Sequence, residues 1–147
     1  MTGKLITICS SADFYRHVNE LADELGAMGY KVLVPATASK MKTSGIYEVS
    51  HYKTWYNNKK DFHKKAQLMR GHFDEIARAD AILVVNDEKH GIKGYVGPNV
   101  IMEMGLAFYL NKPIYVLNKI NEKMPTYEEV MGLGSVIIRG DLSRIKS

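Results

Sequence analysis

Within the stretch Gly94–Ala107, GYVGPNVIMEMGLA, a single carboxylate stands among apolar neighbours: Glu103, set beside Met102, Met104 and Leu106. Pro98 occupies the favoured first position of a helix, so Asn99, four residues before Glu103, shares its face. An amide and a carboxylate on one helix face would point together toward a ligand edge, and a carboxylate so placed has the chemistry to act as a nucleophile or as counter-charge to a developing cation. The competing reading is an ordinary helix glutamate facing water, since charged side chains are mostly exposed. Gly105 would allow a ligand or another backbone to come close.

The elements that must hold this pair follow from hydrophobic spacing. Lys4–Cys9 (KLITIC) is a short apolar run with β-branched residues and reads as a strand. Phe14, Val18, Leu21, Leu25 and Met28 then draw one helical stripe, which Gly29 stops, and Lys31–Val34 (KVLV) is a second strand ended by Pro35. From Ala36 to Asn58 the periodicity fails, and the segment reads as a long loop holding the only tryptophan, Trp55. Loops of this length in a compact domain are binding lids, contacts or surface excursions.

Phe62, Ala66, Met69, Phe73, Ile76 and Ala77 restore helical spacing. Ala81–Val85 (AILVV) has no polar alternation, the pattern of a strand buried on both faces of a parallel sheet. Asn86–Val96 is a polar loop, Val100, Met104, Ala107 and Phe108 mark a helix ending near Asn111, and Pro113–Leu117 (PIYVL) is a fourth strand. Tyr127–Met131 fits a short helix, Ser135–Ile138 (SVII) a fifth strand, and Gly140–Ser147 a polar tail.

Strands alternating with helices predict an α/β fold, a three-layer sandwich around a five-stranded parallel flavodoxin-like sheet, with residues 1–147 forming one domain. Ligands of such sheets bind beyond the carboxyl ends of the strands, at the point where strand order reverses. That places Ser10, Ser11, Asn86 and the loop to Asn99 around the expected site. A flavodoxin would carry glycine in the loop after strand one, where SSADFY has none. A receiver domain would carry acids where Ser10, Ser11 and Asn86 stand, and the GxGxxG of a dinucleotide binder is absent.

Composition narrows the function classes. With 147 residues, 46% hydrophobic and 24% charged, the chain is a folded domain and not a disordered one. Cys9 is the only cysteine, which excludes an internal disulfide and fits a reducing, cytoplasmic compartment. Lying in a buried strand, it reads as a small core residue. No apolar run is long enough to span a membrane, and Met1–Ser10 is too short for a signal peptide. The net charge of +4 is compatible with an anionic ligand, and Lys59, Lys60, Lys64 and Lys65 share one helix face that reads as solvated, so nucleic acid is not expected as a partner. His51, His63, His72 and His90 show no metal-ligand spacing and read as solvated or locally bonded. No metal and no cofactor are expected. Asp80 reads as a residue that orients the turn before its strand.

The run AD-A-ILVV-N, then G-P-N-x-x-x-E-x-G-x-A, then N-K-P-I-Y-V-L, spanning Asp80–Leu117, resembles the nucleoside 2-deoxyribosyltransferase superfamily, which includes deoxynucleoside monophosphate N-glycosidases. The resemblance implies that Glu103 is the nucleophile attacking the anomeric carbon, that Gly97 and Asn99 lie near the sugar or its 5′ substituent, and that Ser10 and Ser11 line the opposite wall. Tyr95 would stack on a base or seal the pocket. It implies a nucleoside or nucleotide ligand and a homodimer or larger assembly, with the Ala36–Asn58 loop or the tail as contacts. The sequence departs from the pattern in three ways, one being that only Gly94 and Gly97 stand where the monophosphate hydrolases carry a Gly/Ser-rich phosphate loop. Lys93–Val96 lacks the base-handling aspartate of the transferases, with Asp87 the nearest acid, and Pro98 and Asn99 replace the usual hydroxyl residue. A non-catalytic nucleotide-binding or sensor protein is the alternative.

Overall fold

The computed structural model describes residues 3–146; Met1, Thr2 and Ser147, at the outer ends of the leader reading and of the tail, lie outside them. Five parallel strands, β1 (Leu5–Ser10), β2 (Lys31–Leu33), β3 (Ala81–Val85), β4 (Ile114–Val116) and β5 (Val136–Ile137), form one sheet in the order β2-β1-β3-β4-β5. The order reverses between β1 and β3, whose register brings Cys9 opposite Val84 and Ser10 opposite Val85. Asp80 ties the start of this pair, its Oδ2 accepting the Leu5 N–H at 2.8 Å, which is the turn-orienting role its position suggests.

Alternation along β1 and β3 splits the core into two layers. Ile6, Ile8, Leu83 and Val85 pack under α1 (Tyr15–Ala27) with Phe14, Val18, Leu21 and Leu25. Cys9, Ile82 and Val84 face the other way, against Ile76 of α3 (Phe62–Arg78) and Val100, Met104 and Ala107 of α4 (Pro98–Tyr109). Most of the α1 stripe read from the sequence is this contact face, with Met28 exposed, whereas on α3 only Met69, Phe73 and Ile76 of the expected residues turn inward, and Phe62, Ala66 and Ala77 face solvent, as does Phe108 of α4. The Glu103 helix therefore lies on the same side of the sheet as α3, and the two helices flank the reversal point.

The segment expected to be an irregular loop is half helical. Ala36–Ser44 forms α2, bounded by Pro35 and by Gly45 at φ 77°, a left-handed stop of the kind glycine favours. Only Ala38 and Met41 of α2 are buried, so the helix carries almost no stripe. The buried Asn19 of α1 anchors it instead, its Nδ2 donating to the Ala38 carbonyl at 3.0 Å. Short single turns at Val49–His51 and Thr54–Tyr56 follow. The last helix, α5, spans Tyr127–Gly132. Among the described residues no helix is long and apolar enough to cross a membrane.

Candidate functional site

A cavity of about 300 Å³ opens beyond the carboxyl end of β1, between α3 and α4. The end of β1 contributes Ser10 and Ser11, and the α4 side contributes Tyr95, Gly97, Asn99 and Glu103. Trp55 and Tyr56, from the segment without periodicity, close the far side, so that segment walls the cavity.

Glu103 projects from the second turn of α4 and is only 4% exposed. Its Oε2 stands 3.5 Å from Asn99 Nδ2 and 3.5 Å from His72 Nε2. Burial pushes its carboxyl from the ordinary 4.5 up to about 7; the nearby His72 and Lys65 charges and a hydrogen bond from Cys9 oppose that rise, while Glu75 adds to it. Burial and the same carboxylates push the Cys9 thiol and the Tyr15 phenol upward, which keeps both neutral. The Glu103 Oε1 and His72 Nε2 atoms are buried without a hydrogen-bond partner.

The α4 helix starts without a side-chain cap on Gly97, so its first amides are available at the cavity, Pro98 supplying none. Gly97 sits close under its neighbour: a Cβ there would stand 3.0 Å from the Tyr95 ring, which would have to give by a few tenths of an ångström. Tyr95 thus packs across the helix start, and the Lys89 ammonium lies 5.6 Å from its ring centroid. Lys89 also binds Ser11 Oγ at 2.7 Å and Asp13 at 2.8 Å. Gly105, by contrast, approaches nothing, since a Cβ there would meet open space.

Asn86 lies elsewhere. It is fully buried beneath the loop, donating from Nδ2 to the Asn118 carbonyl and accepting the Asn118 N–H at Oδ1, each at 2.8 Å. Both ends of its amide are consumed by backbone, so it couples β3 to the chain after β4 and leaves no group for a ligand. Asp87, the nearest acid to the base-handling position, is 2.7 Å from His17 Nδ1 and accepts from Asn118 Nδ2 at 3.3 Å.

Four residues that sequence spacing left aside join the site. Lys65, one of the four lysines expected on a solvated face, lines the cavity with its ammonium 5.6 Å from the Trp55 ring centroid. Lys89 does so from the polar loop. His72, expected to be solvated or locally bonded, is 6% exposed and bridges two carboxylates, with Nδ1 3.0 Å from Glu75 and Nε2 toward Glu103. Its position between Met69 and Ile76 on the buried stripe of α3 was the available signal: a polar residue at a core position requires a partner. Cys9 is buried as a core residue should be, yet its sulfur joins His72 and Glu103 in a cluster whose donor atoms all lie within 4.8 Å of one another, close enough to hold one metal ion.

The α/β fold is shared with two solved proteins. A 2-deoxyribosyltransferase from the psychrotolerant bacterium Bacillus psychrosaccharolyticus superimposes with a TM-score of 0.53 at 18% identity, over 82% of this chain and 76% of that one. The CMP N-glycosidase BcmB of Clostridium botulinum superimposes with a TM-score of 0.52 at 14% identity, over 92% of this chain and 88% of that one. No family model matches the sequence. No curated protein matches it either.

Proposed function

We propose that this protein cleaves or transfers the N-glycosidic bond of a nucleoside or nucleotide, with Glu103 as nucleophile. The observation that carries the reading is Glu103 itself: a buried carboxylate lining a sugar-sized cavity, held beside the Asn99 amide, with one oxygen left without a hydrogen-bond partner. The two solved proteins of like fold that bear on the reading, a deoxyribosyltransferase and a CMP N-glycosidase, act on bonds of this class.

In the first step a Glu103 oxygen forms a bond to the anomeric carbon as the carbon–nitrogen bond breaks, and the base leaves with that electron pair and takes up a proton from water. In the second, water or an acceptor base attacks the same carbon, the ester bond breaks, and the Glu103 carboxylate is restored. The cation-like sugar between the two states is stabilised by the adjacent negative charge. Ser10, Ser11 and Asn99 are placed to hold sugar hydroxyls, and Tyr95 or Trp55 to stack on the base. Lys65, Lys89 and the uncapped start of α4 give the cavity a positive rim that favours a phosphorylated sugar.

The alternative is a nucleotide-binding protein without catalysis, and the commitment of Asp87 to His17 and Asn118 favours it. Incubation with nucleosides and nucleoside monophosphates, followed by chromatography for free base, separates the two. Base release lost in Glu103→Gln, with a sugar adduct on the wild type by mass spectrometry, supports the enzyme. A nucleotide that raises the melting temperature without base release supports the binding protein.

We place the protein in the cytoplasm, in keeping with its single buried free thiol. We further propose a homo-oligomer. In addition to the Ala36–Asn58 segment and the tail, the outer side of α4 exposes Met102, Phe108 and Tyr109, apolar surface suited to a second copy.

A further inference from the structure

Three donor groups of different chemistry converge behind the cavity wall from three separate elements: the Cys9 sulfur from β1, His72 Nε2 from α3 and a Glu103 oxygen from α4, all within 4.8 Å of one another. A tetrahedral zinc ion, with bonds of about 2.0–2.3 Å, holds its donors roughly 3.5 Å apart, so side-chain adjustments of about 1 Å suffice to close the cluster around one ion. The His72–Glu103 pair already stands at 3.5 Å.

Two further observations point to a cation. His72 Nε2 and Glu103 Oε1 have no hydrogen-bond partner, although the side chains are only 7% and 5% exposed; unsatisfied polar atoms at such depth call for an explanation. Meanwhile Glu75 lies 3.0 Å from the other ring nitrogen, Nδ1. A proton on Nδ1 directed at Glu75 leaves the Nε2 lone pair facing the cluster, which is the carboxylate–histidine arrangement that supports metal-bound imidazoles.

We propose that Cys9, His72 and Glu103 form a zinc site with its fourth position open to the cavity, and that the zinc-bound protein is the silent form of the N-glycosidic enzyme. The donor set favours zinc: thiolate and imidazole select against magnesium and calcium. Thiolate, carboxylate and neutral imidazole around a divalent ion sum to zero charge, and the ion would give the Glu103 Oε1 atom a partner. As the zinc–sulfur bond forms, the thiol proton leaves to solvent. His72 and Glu103 line the cavity, which gives the ion its way in. The silencing clause rests on the proposed function, because zinc on Glu103 occupies the nucleophile; the binding clause does not.

The test is a cobalt titration of the full chain after chelator treatment. The expected result is one equivalent bound, with the intense visible bands of four-coordinate cobalt and a near-ultraviolet sulfur-to-cobalt band, both removed by one equivalent of zinc. Cys9 is the only cysteine, so the sulfur band reports this site alone. Glu75→Gln, which leaves all three ligands in place, weakens cobalt affinity about 10–100-fold. Absence of the sulfur band in wild type overturns the site, as does a band that survives both His72→Gln and Glu103→Gln in folded protein, judged by circular dichroism. Base release by the chelated enzyme that persists at full zinc occupancy overturns the silencing clause. If the chelated protein releases no base from any substrate, the silencing clause falls together with the enzymatic reading, and the cobalt spectrum still decides the site.

Discussion

His72 on α3 and Glu103 on α4 meet side chain to side chain, Nε2 to Oε2 at 3.5 Å, both almost wholly withdrawn from bulk water. The contact sets an imidazole and a carboxylate at the wall of the cavity beside the sheet's reversal point. Its consequences are measurable.

Glu103→Gln keeps the shape of the side chain and removes the nucleophile. Base release is expected to fall on the order of 10³-fold or more, with substrate binding retained, as read by single-turnover kinetics and calorimetry.

The same variant tests burial. The Glu103 carboxyl is raised from 4.5 to about 7 by burial, so the folded state holds its proton more tightly than the unfolded chain does. The associated stability is fully present below about pH 4.5 and is lost as pH rises to about 7, by an amount on the order of 3 kcal/mol. Denaturant unfolding in chelator should show wild type losing stability relative to Glu103→Gln between pH 5 and pH 8. Parallel curves would rule out the buried, ionising carboxylate.

Lys65 and Lys89 should matter for a phosphorylated substrate. Replacing either by Ala removes a charged contact of about 1.5–3 kcal/mol, which raises KM for a nucleoside monophosphate roughly 10–100-fold. KM for the corresponding nucleoside should hardly move. Equal effects on both substrates would place the phosphate elsewhere.

Asn86→Ala severs both bonds to the Asn118 backbone and leaves buried groups unpaired, an expected loss of about 2–4 kcal/mol in urea unfolding. Nucleotide affinity of the folded fraction should be unchanged, because the side chain does not reach the cavity.

Gly94 has φ 71°, and a Cβ there would run into the Lys119 carbonyl. Gly94→Ala should cost about 2–4 kcal/mol through strain and overpacking, whereas Gly105→Ala, which meets open space, should be neutral or slightly stabilising by helix propensity. The melting temperatures of the two variants make the comparison.

Local pattern carried much of the architecture. Continuous apolar runs such as Ala81–Val85 announce a covered parallel sheet, because no solvent face is provided for, and the stripe of Phe14, Val18, Leu21 and Leu25 names the face that α1 buries. The pairing of Asn99 with Glu103 follows from helical spacing alone. By contrast, α2 escapes such a reading because a helix held by Asn19 and two small contacts has no stripe to detect, although Pro35 and Gly45 mark its ends.

What the amino-acid order determined by itself is therefore the succession of strands and helices, α2 excepted, and the one carboxylate placed at a strand-end helix. Only the tertiary structure decided that Cys9, His72 and Glu103 share a cluster, that Lys65 turns to the cavity, and that Asn86 turns away from it. Periodicity reports which side of an element is buried. Which distant side chains meet there depends on how the crossovers stack α3 and α4 over β1, and on which polar groups the surrounding backbone has already claimed.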